Sequence, residues 1–363
     1  MHVGDAFEAA GFTPPFSPDN YTQVLRRASY QPYACRAENS DEVRAWQREF
    51  RAHLLSLLGI PRIAECAKGS KGSERAMGQV EVEDHIREEW LLETEPGFWV
   101  PFYLLKPKGV TEPRPLVLAT HGHLKEGRHV YAGLAATEEE CKENSAKDRD
   151  IAVQAVREGY IAIAPDMRGL GSLRRQPEKD KDANNSCERL QMQAMLFGRT
   201  LLGERVWDVM KLVDWAAQRD DVDSSRIAIT GGSGGGTVSL FAAACDERIS
   251  AAVPAAYFCS FEHSIGSIYH CACNYVPGIL AAAEMYDVAG LIAPRPFLAV
   301  SAKKDPIFPF PAAQESFARL RRIYEAAGVG DRCEFFAADG GHRYYKEPVW
   351  PFIRRWFTSC DAV

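Results

Sequence analysis

Apolar and polar positions follow one rhythm near the start of the chain and another further along. Val43, Trp46, Phe50, Leu54, Leu57 and Leu58 recur at three- and four-residue spacing, which is the period of one helix face. Asn39-Ser40-Asp41-Glu42 ahead of them resembles a capping box, and Gly59-Ile60-Pro61 stops the helix behind them. The charged, glycine- and serine-containing run Lys68 to Glu74 reads as a surface linker. Strand-like segments come next, at Gln79 to Val82, Ile86 to Thr94 and Phe98 to Leu105. Turn signals at Glu95-Pro96-Gly97 and Pro107-Lys108-Gly109 separate them, so the sheet is expected to open antiparallel.

The rhythm then changes to short, nearly continuous apolar runs: Leu116 to Thr120, Tyr160 to Ala164, Arg226 to Thr230, Ala251 to Ala255 and Phe297 to Ser301. Amphipathic stretches lie between them, as in Leu202 to Ala217. Runs of this kind are buried parallel strands, and their alternation with helices implies a doubly wound sheet. A last strand, Cys333 to Ala337, precedes a helix from about Glu347 to Phe357. The reading divides the chain into an N-terminal helical extension, 1–75, and an α/β domain, 76–363. Three segments fit the alternation poorly, near 131–150, 172–198 and 258–286. As insertions above the carboxyl ends of strands they would shape a pocket.

Composition narrows the class. Of 363 residues, 46% are hydrophobic and 25% charged, ordinary for a globular chain. With 43 basic and 49 acidic residues the net charge is −6, which points away from nucleic acid and anionic membranes. No apolar run is long enough to span a bilayer, and Met1 to Glu8 has neither a basic start nor an apolar core. A cytoplasmic protein is expected. The ten cysteines include no C-x-x-C pair. His270-Cys271-Ala272-Cys273 fits no familiar zinc spacing and no second ligand pair is evident, so reduced thiols, and neither metal nor organic cofactor, are expected.

The chemistry concentrates between Arg226 and Gly236, where a β-branched run ends in Gly231-Gly232-Ser233-Gly234-Gly235 before a small-residue helix. This order builds a nucleophile elbow, in which a sharp strand-to-helix turn lifts the serine to its apex. A phosphate-cradling turn is the alternative, but the P-loop lysine is missing. A nucleophilic serine needs a base, a group that orients the base, and donors for the oxyanion. His342 follows the last strand in Ala338-Asp339-Gly340-Gly341-His342 and is the expected base. Asp305, ending the preceding strand before Pro306, is the expected acid, with Asp339 as its rival. The oxyanion donors are expected to be the backbone N–H groups of Gly234 and of His123, in Thr120-His121-Gly122-His123. His121 and His123 as a metal pair is the minor reading. Asp166-Met-Arg-Gly-Leu-Gly171 is read as a tight turn fixed by an Asp–Arg contact, with substrate binding as the alternative.

Taken in order, H-G-x, D-x-R-G-x-G, G-G-S-x-G-G, the D-P after the acid strand and G-G-H resemble the α/β-hydrolases. More narrowly, Ala256 to Phe261, His270 to Gly278 and Leu291 to Phe297 resemble the acetyl xylan esterase-related branch. The resemblance covers about residues 80 to 360. It implies a Ser233–Asp305–His342 triad, Gly234 and His123 as backbone donors, and deacetylation of a sugar. Dienelactone hydrolases are similar but carry cysteine where this chain has Ser233. Glucuronoyl esterases place an arginine after the serine, where this chain has Gly234. A small-molecule or oligosaccharide ester is the expected substrate. The alternatives are a serine peptidase of prolyl-oligopeptidase type, for which some 75 residues ahead of the sheet are too few to form a propeller, and a non-catalytic binding protein.

Overall fold

The computed structural model describes Leu25, Ala28 to Ser70 and Gly72 to Thr358. The N-terminal segment read above for a leader, and Cys360, lie outside the described residues. Nine strands form one sheet: β1 (Glu74–Glu81), β2 (His85–Glu95), β3 (Phe98–Pro107), β4 (Arg114–Ala119), β5 (Ile161–Pro165), β6 (Val222–Gly232), β7 (Ala251–Ala255), β8 (Phe297–Ala302) and β9 (Cys333–Ala338), in the order β1-β2-β3-β5-β4-β6-β7-β8-β9. The first three strands and the β3–β5 pairing are antiparallel; from β5 to β9 every pairing is parallel. The fold is thus a mostly parallel α/β sheet with an antiparallel opening.

Flanking helices include α1 (Ser40–Leu58), α2 (Ile60–Cys66), α3 (Ile151–Arg157), α4 (Cys187–Leu196), α5 (Leu201–Ala216), α6 (Gly234–Cys245), α7 (Phe310–Ala326) and α8 (Val349–Thr358). Successive strand residues point to opposite faces, and the two faces bury different sets. Leu116 and Leu118 of β4, Ile161 and Ile163 of β5, and Ile227 and Ile229 of β6 join α1, α5, α6 and α7 in one apolar cluster. Val117, Ala162 and Ala228, their alternates, pack with α3 and α8 on the other side. Both faces are covered, which explains the uninterrupted apolar runs in the sequence.

One boundary needs correction near the N-terminus. Gly59, at φ +79°, ends α1 as expected, and Ile60-Pro61 opens a second short helix, α2, with proline in its first turn, where no N–H is required. The first strand, expected from Gln79, begins at Glu74, the last residue of the segment read as linker. Every residue of β1 is exposed, so no apolar alternation marks it, and pairing with β2 alone forms it. Among the described residues no helix is long and apolar enough to cross a membrane.

Candidate active site

Ser233 lies between the last residue of β6 and the first of α6, at φ 56° and ψ −119°. A non-glycine residue at positive φ is strained and persists only where its surroundings hold it. Here its N–H donates to the Ala255 carbonyl at 3.0 Å, and its own carbonyl accepts from the Thr237 N–H at 2.9 Å. The turn also passes hard against the end of β4. A Cβ on Gly231 or Gly235 would collide with the Thr120 carbonyl oxygen. The Thr120 hydroxyl donates to the Gly235 carbonyl at 2.9 Å.

Asp305 follows β8 and is buried. Its Oδ1 accepts from the N–H groups of Ile307 (3.0 Å) and Phe308 (3.1 Å), and its Oδ2 lies 2.7 Å from His342 Nδ1. Two backbone donors fix the carboxylate, and the carboxylate fixes the ring. Phe308 stacks on His342 at 5.8 Å between centroids. The loop carrying His342 packs on the elbow strand: Tyr344 Oη is 3.2 Å from Thr230 Oγ1, and a Cβ on Gly232 would sit 3.5 Å from Tyr344 Cβ. Asp339 is exposed and paired with Lys303 Nζ at 2.6 Å.

The loop after β4 reaches the other side of the serine. A Cβ on Gly234 would lie 2.8 Å from Cε1 and Nδ1 of His123. Among the described residues neither the His123 nor the Gly234 backbone N–H donates to a protein acceptor. Tyr131, from the segment read as the first insertion, accepts from the Gly232 N–H at 3.3 Å. Burial pushes its phenol up to about 12, so it stays neutral.

The Asp166 turn forms, with Leu170 N–H on the Met167 carbonyl at 2.9 Å, but its two charges do not meet each other. Asp166 binds Arg128 at 2.6 Å, whereas Arg168 is bidentate to Asp208 (2.7 and 2.8 Å) and pairs with Glu95 at 2.8 Å. All three partners are far away in sequence and all three pairs are buried. His121 accepts from the Met167 N–H through Nε2 at 3.1 Å, and its Nδ1 faces the Gly122 carbonyl at 2.8 Å. With both nitrogens engaged by backbone, His121 is a strut of the turn and does not act as a partner to His123.

The cysteine motif also reorganises. His270 stands apart from Cys271 and Cys273. Its Nε2 lies 3.0 Å from Ser264 Oγ and 3.2 Å from the Ile307 carbonyl, and its ring packs 5.0 Å from Phe308. Burial foremost, then the neighbouring His342 and His123, push its pKa down, against the Ile307 carbonyl and Asp305. Cys271 and Cys273 instead gather with His123 and Cys187, one donor atom from each lying within 4.8 Å of all the others. The second ligand pair that the sequence does not show is therefore present, His123 and Cys187 being carried there by separate segments of the chain. No local spacing could have announced it.

Beside His270 opens a cavity of about 1030 Å³, lined by α4 (Gln191, Met192, Met195) and by Tyr269, His270 and Tyr275. The aromatics of this region divide. Tyr257, Phe258 and Phe261 are almost wholly buried, while Tyr269 is 90% and Tyr275 42% exposed. The described lining also holds Glu188 and Glu262, with no lysine or arginine.

Several known proteins are similar to this chain in sequence or in fold. YtaP of Bacillus subtilis (strain 168), provisionally assigned as a hydrolase, is 26% identical over 285 residues, covering 76% of this chain and 90% of that protein. A Bacteroides fragilis NCTC 9343 structure, provisionally assigned as an acetyl xylan esterase, superposes with a TM-score of 0.81 at 16% identity, covering 95% of this chain and 96% of its own. The acetyl xylan esterase of Paenibacillus sp. R4 gives 0.57 at 18% identity, covering 90% and 98%. A glucuronoyl esterase of Solibacter usitatus gives 0.62 at 14%, covering 90% and 96%. At such identities these structures speak for the fold. A family model described as the Abhydrolase family matches residues 23–305. That span runs from ahead of α1 through every strand from β1 to β8, so this chain belongs to the Abhydrolase family and has the α/β-hydrolase fold.

Proposed function

We propose that the chain is a serine carboxylic ester hydrolase that removes acetyl or other short acyl groups from a carbohydrate through an acyl-enzyme. The observation that carries this reading is the strained Ser233 apex. It is supported by the carboxylate-held imidazole of His342, whose loop packs on the elbow strand, and by two backbone N–H groups without protein acceptors among the described residues. Ser233 Oγ attacks the ester carbonyl while His342 takes its proton, and Asp305, on Nδ1, stabilises the imidazolium. The N–H groups of Gly234 and His123 receive the oxyanion, each such donor contributing on the order of a hundredfold or more in rate. His342 returns its proton to the leaving sugar alkoxide. Water, deprotonated by the same ring, then attacks the acyl-serine; the acid leaves and Oγ regains its proton. None of Ser233, Gly234, His123 and His342 lines the cavity, but His270 in its wall packs on Phe308, which stacks on His342. The cavity is therefore taken as the place of the sugar portion, with exposed tyrosines for apolar faces and no lysine or arginine in its described lining that would favour a uronate.

The test is hydrolysis of p-nitrophenyl acetate, butyrate and octanoate, together with acetylated xylo-oligosaccharides, by wild type and Ser233→Ala. Ser233→Ala is expected to lower turnover by several orders of magnitude with the melting temperature nearly unchanged, since the three groups act as a unit. Activity of the variant within about tenfold of wild type would remove Ser233 from the mechanism. Preference for acetate, with acetate released from the oligosaccharide, is the expected specificity; absence of serine-dependent turnover on every substrate would leave a serine peptidase or a binding protein.

A further inference from the structure

We propose that His123, Cys187, Cys271 and Cys273 form a zinc site that fastens the loop after β4 to both insertions flanking the cavity. The four donor atoms converge within 4.8 Å of one another. His123 Nε2 is already 3.2 Å from Cys273 Sγ. Zinc–sulfur bonds of about 2.3 Å at tetrahedral angles place donors about 3.8 Å apart, so closure around an ion needs small movements. Cys187 and Cys273 are buried, and His123 and Cys271 half-buried. Three thiolates and one imidazole, with no fifth group, are the donor set of a closed structural site.

A second observation comes from the charge balance. Arg205 is 1% exposed, and its guanidinium donates to the Arg168 carbonyl (3.0 and 2.6 Å) and to Cys187 Sγ (3.1 Å). Among the described residues its hydrogen bonds go to a carbonyl and a sulfur and none to a carboxylate. A buried cation without a counter-charge is costly. A divalent ion with three thiolates and a neutral imidazole carries one net negative charge, and Arg205 touches one of its sulfurs. The same thiols left protonated would offer Arg205 no charge at all.

The cluster also connects to the elbow. Asn274, the residue after Cys273, donates to the Cys271 carbonyl at 3.1 Å, and its Oδ1 accepts from the Thr237 hydroxyl at 3.0 Å. Thr237 is in the first turn of α6 and its N–H bonds the Ser233 carbonyl. Zinc held here fixes the His123 backbone beside Gly234. That consequence rests on the esterase reading above; the metal site itself does not.

The experiment is zinc content by elemental mass spectrometry on the full chain, purified with thiols reduced and equilibrated with zinc chloride, with cobalt-grown protein examined in parallel. One zinc per chain and a thiolate-to-cobalt charge-transfer band with tetrahedral d–d absorption are expected. Cys187→Ser and Cys271→Ser should each lose most of the metal, while Cys35→Ser keeps it. Should the variants fold poorly, mercurial titration of wild type must release zinc, read with a metallochromic dye, in step with loss of three thiols. Zinc at about a tenth of an equivalent or less, full zinc in both serine variants, or a disulfide between any two of the cysteines would overturn the site. A fluorophosphonate probe on the same samples separates the two readings. Zinc without labelling of Ser233 leaves the metal site and removes the esterase; labelling without zinc does the reverse.

Discussion

Asp305 and Asp339 show how far a single residue's role can be read from sequence, because both precede His342 and both are aspartates. Their surroundings separate them: Asp305 is buried, held by two N–H groups and bonded to the ring, while Asp339 is exposed on Lys303. Asp305→Asn should therefore lower kcat by several orders of magnitude, since the amide favours the wrong imidazole tautomer. Asp339→Asn should stay within about twofold, because an exposed ion pair is worth little. Steady-state kinetics on p-nitrophenyl acetate decides, and the reverse ranking would exchange their roles. Ser233 and the glycines around it were legible because the elbow is local and sterically demanding. Cys187, Tyr131 and Phe308 were not, since each reaches the site from a segment whose own sequence carries no signal. The Asp166 and Arg168 charges misled for a related reason. Two neighbouring opposite charges suggest a contact, yet each found a better-buried partner elsewhere.

At the scale of elements, apolar rhythm located the strands well wherever a strand was buried, and failed at β1, whose side chains are all exposed. Helix α1 illustrates the converse. Its periodic face was plain from sequence, but not what that face would meet. Phe50, Leu54 and Leu58 are fully buried in the cluster shared with α5, α6 and the β4–β6 strands. Gln47 binds the carbonyls of Gly290 and Ala293 at 3.0 and 2.6 Å, and Arg51 those of Ala244 and Leu291. A helix so bound melts with the sheet. Leu54→Ala should cost about 2–5 kcal/mol, seen in chemical denaturation as one cooperative transition at lower midpoint. A separate early transition for α1, with the sheet unmoved, would show instead that it is a detachable appendage.

Across the whole molecule, the segments that broke the alternation in the sequence converge on one region, with Tyr131 at the elbow, α4 and Tyr269 to Tyr275 around the cavity, and their cysteines meeting His123. A groove built by insertions should govern the alcohol portion more than the chemistry. Tyr269→Ala is thus expected to raise KM for acetylated xylo-oligosaccharides several-fold while leaving kcat/KM on p-nitrophenyl acetate within about twofold. Equal losses on both substrates would place Tyr269 in the acyl site. The close approach of His123 to Gly234 also bears on what position 234 can carry. A side chain there would begin 2.8 Å from the His123 ring. It would fit only with that ring turned out of its place beside Cys273. The size of the residue after the serine is thus tied to the pose of a histidine on a separate loop, and the two positions are expected to vary together.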